Sequence, residues 1–123
     1  MGKTVLIVDD SLYMRTQINE ALIKAGFEII GQAANGEQAI EMALELKPDL
    51  ITLDNILPDM IGIDILKILK QEEKIDSKVI MISAVGQEAV IKEGMELGAS
   101  DYIVKPFTPE GLVVVVNKIM LAP

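Results

Sequence analysis

Five short apolar runs, each closed by polar or turn residues, alternate with stretches whose apolar residues recur every three or four positions. The runs Val5–Asp9, Phe27–Ala33, Asp49–Leu53, Lys78–Ile82 and Tyr102–Val104 read as strands. Continuous apolar character bounded by turn residues is what a strand buried on both faces of a parallel sheet requires. The second run is the least regular, being interrupted by Gly31.

The intervening stretches read as helices. Ser11 is placed to cap the first, in which Met14, Ile18, Leu22 and Ala25 form a stripe that Gly26 ends. Asn35 with Gln38 three residues on resembles a capping box, and Ile40, Ala43 and Leu44 then give a stripe that closes before Pro48. Ile61, Ile65, Leu66 and Leu69 mark a third helix trailing into a solvated run, Lys70–Lys74. A fourth spans Gln87–Leu97 and has the weakest stripe of the five, with Gly94 inside it. Val113–Val116 has strand propensity, but Thr108-Pro109-Glu110 is a helix start, so Pro109–Met120 is read as the last helix. The alternation predicts a single α/β domain over residues 1–123, a parallel sheet with helices on both faces.

Four of the five strand ends carry polar groups suited to one site: Asp9 and Asp10, Asp54, Ser83, and Lys105. Asp54 stands out because it closes an apolar run and opens a loop containing Pro58 and Gly62. Open α/β sheets bind ligands at the carboxyl ends of their strands, and an unpaired carboxylate there is expensive to bury. Three carboxylates brought together repel unless one stays protonated or a cation sits among them. All-oxygen ligands favour a hard ion, Mg²⁺ or Mn²⁺. With Lys105 as counter-charge and the Ser83 hydroxyl as donor, the set suits placing a phosphoryl group on a carboxylate. Each residue also has a plainer reading. Asp9 and Asp10 suit a helix start, Asp54 could accept from loop amides, Ser83 could cap a turn, and Lys105 could be solvated.

Composition narrows the chemistry. With neither His nor Cys, imidazole and thiolate catalysis and their metal sites are excluded. The net charge of −8 argues against direct nucleic-acid binding and favours protein or cation partners. No run approaches membrane-spanning length or a signal peptide, so a cytoplasmic location without membrane insertion is expected.

The motifs VLIVDD at 5–10, LDNILPDMIG at 53–62, SA at 83–84 and GASDYIVKPF at 98–107 together resemble the receiver domain of two-component response regulators. ISAVGQEAV at 82–90 and the short length are most similar to stand-alone chemotaxis regulators of the CheY type. The resemblance implies a flavodoxin-like (βα)5 doubly wound sheet in strand order 2-1-3-4-5. It implies that Asp54 is the phosphoacceptor and that Asp10, Asp54 and the main-chain carbonyl of Ile56 bind Mg²⁺, or Mn²⁺ in its place, with Asp9 acting through water. Lys105, the Ser83 hydroxyl and the Ala84 amide would contact the phosphoryl oxygens. Ser83 and Tyr102 would move on activation, remodelling the face of the fourth helix, fifth strand and fifth helix, and the Lys105–Pro106 bond would be cis. The implied partners are a histidine kinase of the chemotaxis type, a flagellar or archaellar motor component or adaptor, and an aspartyl-phosphate phosphatase. Catalysis would be confined to the protein's own phosphorylation and dephosphorylation, and the chain is expected to be a monomer.

Departures from the family pattern carry expectations of their own. Leu57 replaces the commoner Met, Ser83 the commoner Thr, and Ile56 and Val85 flank the site with apolar groups where relatives often carry polar ones. These apolar groups would leave an attacking water poorly oriented and lengthen the life of the acyl phosphate. In the last helix, Leu112, Val115, Val116 and Ile119 suffice to face the core, so Val113, Val114 and Met120 are expected on a partner face, against the alternative of tolerated exposed aliphatics.

Rival classes fit less well. An Asp-nucleophile phosphatase would want a D-x-D pattern after the first strand, which ends Asp9-Asp10-Ser11. A flavin or nucleotide module would want a Gly- or Ser/Thr-rich phosphate loop there. A receiver cut from a longer regulator with a DNA-binding or other output is the remaining alternative, although the sequence carries no linker after Met120.

Overall fold

The computed structural model describes residues 3–121. Its elements run β1 Thr4–Val8, α1 Leu12–Lys24, β2 Glu28–Ala33, α2 Gly36–Leu46, β3 Leu50–Asp54, α3 Gly62–Lys67, β4 Lys78–Ala84, α4 Glu88–Glu96, β5 Asp101–Lys105 and α5 Pro109–Met120. A π-helical turn, Ile68–Glu72, continues α3. All strand pairs are parallel, and the order is β2-β1-β3-β4-β5, as the resemblance implied. Among the described residues no helix is long and apolar enough to cross a membrane.

Period-two alternation along the central strands fills two cores. Val5, Ile7, Leu50, Ile80, Ile82 and Ile103 meet Ile18 and Leu22 of α1 and Leu112, Val116 and Met120 of α5. Leu6, Val8, Ile51, Leu53, Val79 and Met81 meet the other helices, through Ala39 and Ala43 of α2 and Ile65 and Leu66 of α3. Aliphatic side chains such as these gain roughly 1.5–3 kcal/mol each on full burial. Because both faces of β1, β3 and β4 are covered, their apolar runs are continuous.

Local chemistry sets the element ends. Ser11, Asn35 and Thr108 each accept a backbone N–H in the first turn of their helices, and Gly26 follows α1 with a φ of +98°. The Asn35–Gln38 box is half formed: Asn35 Oδ1 accepts from the Gln38 N–H, but Gln38 Oε1 accepts from the N–H of Ala34, one residue before the cap, and not from that of Asn35. The irregularity of the second strand is a bulge, since Val5 pairs with Ile29 but Leu6 with Gly31.

Three expectations are corrected. Leu44 is exposed, because α2 turns Ala39 and Ala43 to the sheet. Lys70 is not solvated as a surface Lys would be: its ammonium donates to the Ser77 carbonyl, and burial, opposed by Asp76, lowers its pKa. On α5, Met120 is buried in the core and Val113 packs partly against it, so neither points outward; only Val114 of that trio is exposed. Leu112, Val116 and Met120 are spaced at four residues, and the core-facing stripe follows that row.

Chain direction has a simple result for the ends of the molecule. All five strands finish on one edge of the sheet, while α5 runs back and finishes at the other, where the Lys78 ammonium donates to the Ile119 carbonyl at 3.2 Å.

Candidate acceptor site at the carboxyl edge of the sheet

Strand register builds the site. Val8 pairs with Leu53, so the next residues along each strand, Asp9 and Asp54, lie side by side at the point where the strand order reverses. Asp54 pairs with Ile82, and Ala84 with Lys105, which brings Ser83 and Lys105 to the same edge. One oxygen each of Asp9, Asp10 and Asp54 lies within 4.8 Å of the others. Asp9 and Asp54 are buried, whereas Asp10 is exposed on the rim.

The Lys105 ammonium bridges this group, donating to Asp9 Oδ2 at 3.2 Å and to Asp54 Oδ1 at 3.3 Å. Asp9 is fully committed: its other oxygen accepts from the Ser11 N–H at 2.9 Å. The Asp9 main-chain carbonyl in turn accepts from the Arg15 guanidinium at 2.6 Å. Among the described residues Asp54 has no second partner of this kind. Burial pushes its carboxyl up to about 6, with Asp9 adding to the rise, Lys105 opposing it, and Asp10 adding less. Burial would lower the Lys105 pKa, but Asp54 and Asp9 together hold it above the usual value. One ammonium among three carboxylates leaves an acidic excess that a divalent cation would relieve. The donor set is all oxygen, which fits Mg²⁺.

Ser83 is buried and its Oγ has no hydrogen-bond partner among the described residues. A buried hydroxyl left without a partner costs about 1–3 kcal/mol, so its presence at this edge suits an anionic oxygen arriving beside Asp54. The Ala84 N–H faces a different situation, because the Gln87 side chain accepts from it at 2.8 Å. Ile56 and Val85 flank the site with exposed aliphatic groups. Tyr102 is also exposed, and the Lys105–Pro106 peptide is cis.

The loop after Asp54 is closed on itself and fastened to its neighbour. Ile56 and Ile61 form a β-bridge, the Leu57 N–H donates to the Met60 carbonyl at 3.1 Å, and the Gly62 N–H donates to the Asn55 carbonyl. A Cβ on Gly62 would meet the Asp54 carbonyl oxygen and Asn55 Cα at 2.9 Å, so only glycine fits where α3 begins. At its tip the Asp59 carboxylate accepts from the Gly36 N–H at 2.7 Å and the Glu37 N–H at 3.0 Å, at the start of α2.

The sequence-predicted residues Asp9, Asp10, Asp54, Ser83, Ala84 and Lys105 therefore share one edge. Ile56 lies on the loop leaving it, and Tyr102 two strand positions before Ser83's partner Val104. Sequence reading missed Arg15, Gln87 and Asp59. Arg15 lies in no quoted motif, while Gln87 and Asp59 lie inside quoted stretches at positions to which no role was attached.

Over residues 5–117 the chain matches the response regulator receiver domain family. It is 47% identical over 121 residues to the chemotaxis protein CheY of Thermotoga maritima, covering 97% of this chain and 98% of that protein. The phosphate regulon transcriptional regulatory protein PhoB of Pseudomonas aeruginosa is 46% identical over 92% of this chain, which spans 49% of that protein. Among solved structures, the CheX–CheY–BeF3–Mg²⁺ complex from Borrelia burgdorferi contains a chain similar at a TM-score of 0.91 and 35% identity, with 98% of this chain and 90% of that chain covered.

Proposed function

This chain belongs to the response regulator receiver domain family, and from that premise we propose a phosphorylation switch whose acceptor is the Asp54 carboxylate. The observation that carries the reading is the surroundings of Asp54: a buried carboxylate with one oxygen held by Lys105, acidic neighbours in Asp9 and Asp10, and an unpartnered hydroxyl at Ser83. That is a nucleophile with donors arranged for an anion next to it. On this reading an Asp54 oxygen attacks the phosphorus of a phosphohistidine on a histidine kinase. The P–N bond breaks, the imidazole nitrogen leaves with its electron pair and takes up a proton, and an acyl phosphate forms.

Asp10, Asp54 and the Ile56 carbonyl would hold Mg²⁺, with Asp9 acting through water; Mn²⁺ could substitute. The commitment of both Asp9 oxygens to Ser11 and Lys105 supports that indirect role for Asp9. Bound there, the ion supplies charge neutralisation for the carboxylates and the phosphoryl oxygens. Lys105 exchanges its contact with Asp54 for one to the phosphoryl group, and Ser83 Oγ donates to it. The Ala84 amide can do so only by releasing Gln87, the residue that precedes α4. Movement of Ser83 and inward turning of Tyr102 would remodel the α4-β5-α5 face. The shallow seat of α4, whose only buried residue is Gly94, supports its being the element that shifts.

Similarity to a chemotaxis CheY over nearly the whole of both chains supports a chemotaxis-type kinase as phosphoryl donor and a motor component or adaptor as target, in the cytoplasm. The similar Borrelia CheY was crystallised with a second protein, CheX, which supports a further partner at the phosphorylated state, an aspartyl-phosphate phosphatase. The PhoB match favours a second reading, in which the same switch serves a longer regulator with a separate output. The test is labelling by acetyl phosphate with millimolar Mg²⁺. Wild type is expected to gain one acid-stable, base-labile phosphoryl group and Asp54→Asn none; label retained on another residue would refute the assignment.

A further inference from the structure

We infer that Asp59 is a positioning residue for the cation and acceptor site, acting by fastening the Asn55–Gly62 loop to the start of α2. The inference rests on the reading that Ile56, in that loop, presents its carbonyl to the cation.

The loop's own hydrogen bonds fix its shape but not its place. The Ile56–Ile61 bridge and the bond from the Leu57 N–H to the Met60 carbonyl are internal and would travel with the loop as one body. At its base it is joined to Asp54 and, through the Asn55 N–H, to the Ile82 carbonyl at 3.1 Å. Its tip is held by α2. There the two Asp59 oxygens take the Gly36 and Glu37 N–H groups, two of the donors an α-helix leaves unpaired at its start. A carboxylate at that end also meets the positive pole of the helix. A second contact adjoins the first. Met60 lies so close to Gly36 that a Cβ there would approach the Met60 sulfur to 2.7 Å.

Capping alone does not account for this arrangement. The helix already has its own cap, since Asn35 Oδ1 accepts from the Gln38 N–H and Gln38 Oε1 accepts from the Ala34 N–H. Asp59 comes from 23 residues further along the chain than Gly36 and takes the donors that Asn35 leaves. Leu57 already seats the loop in the core cluster that holds Ala39 and Ala43; Asp59 adds a polar tie from the loop's tip to the backbone at the start of α2. Outer partners that orient the ligands of a metal commonly change affinity by tenfold or more when removed.

Asn35 supplies the control, because it caps the same helix and leaves the loop alone. Mg²⁺ affinity would be measured by calorimetry or by amide shifts in NMR, beside melting temperature and the rate of labelling by acetyl phosphate. Asp59→Ala should weaken Mg²⁺ binding about fivefold or more. Asp59→Asn, which keeps one acceptor oxygen, should recover part of the loss. Asn35→Ala should lower the melting temperature comparably while Mg²⁺ affinity stays within about twofold of wild type. Equal weakening by Asp59→Ala and Asn35→Ala would reduce Asp59 to a helix cap, and unchanged affinity in Asp59→Ala would overturn the inference outright. Should Asp59→Ala not fold, Asp59→Asn decides by the same comparison. A wild type that neither binds Mg²⁺ nor takes the label would instead sink the functional reading on which this rests.

Discussion

Asp54 sits where its charge is least welcome. Its carboxyl titrates near 6 rather than the ordinary 3.8, raised first by burial and then by Asp9, against the pull of Lys105. Between about pH 4 and pH 6 the folded protein holds a proton that the unfolded chain has released. This group's contribution to stability is therefore present at low pH and lost as pH rises through about 6. Without divalent cation the protein should lose stability as pH rises from about 4 to about 6, in so far as Asp54 governs it. Asp54→Asn should flatten that slope and gain about 1 kcal/mol at pH 7, and millimolar Mg²⁺ should restore wild type there. Thermal melts across pH would show it; the same slope in Asp54→Asn would place the effect elsewhere. Ile56 bears on a different quantity. Its exposed aliphatic side chain offers nothing to orient an attacking water. Ile56→Asn should therefore speed loss of the acyl phosphate severalfold, and an unchanged decay of label would dismiss that role.

The helices differ in how firmly they are held. α5 puts Leu112, Val116 and Met120 into the core, whereas α4 buries only Gly94 and leaves Val90 and Ile91 half-exposed. The fourth stripe is weak in sequence because the helix it describes is weakly seated. The fifth misled for the opposite reason: Val113 to Val116 is an unbroken apolar run with no polar residue to mark its outer side. Met120→Ala should cost about 2–4 kcal/mol by denaturant unfolding, as a core truncation does. Val114→Asp, on the exposed side, should change stability by no more than about 0.5 kcal/mol. A small loss for Met120→Ala would return that residue to the surface.

At the scale of the molecule, the sheet order and the gathering of Asp9, Asp54, Ser83 and Lys105 were legible because both follow from one pattern, apolar strands that end abruptly in polar residues. Once the strands are parallel, their last residues must share an edge. Contacts set by loop path were not legible. Lys70 on the Ser77 carbonyl, Gln87 on the Ala84 amide, Arg15 on the Asp9 carbonyl and Asp59 on α2 depend on where a flexible polar side chain finds a partner, and no periodicity records that.

The direction of the chain at its two ends has a practical meaning. β1 starts, and α5 finishes, on the edge of the sheet away from the carboxylates, with Ile119 beside Lys78. A group attached at the start of β1 or the end of α5, whether a fluorophore or a tether to a sensor chip, is joined on the side opposite Asp54. The fold is thus suited to immobilisation with its carboxylate edge facing the solution, and to being built into longer chains without hiding Asp54.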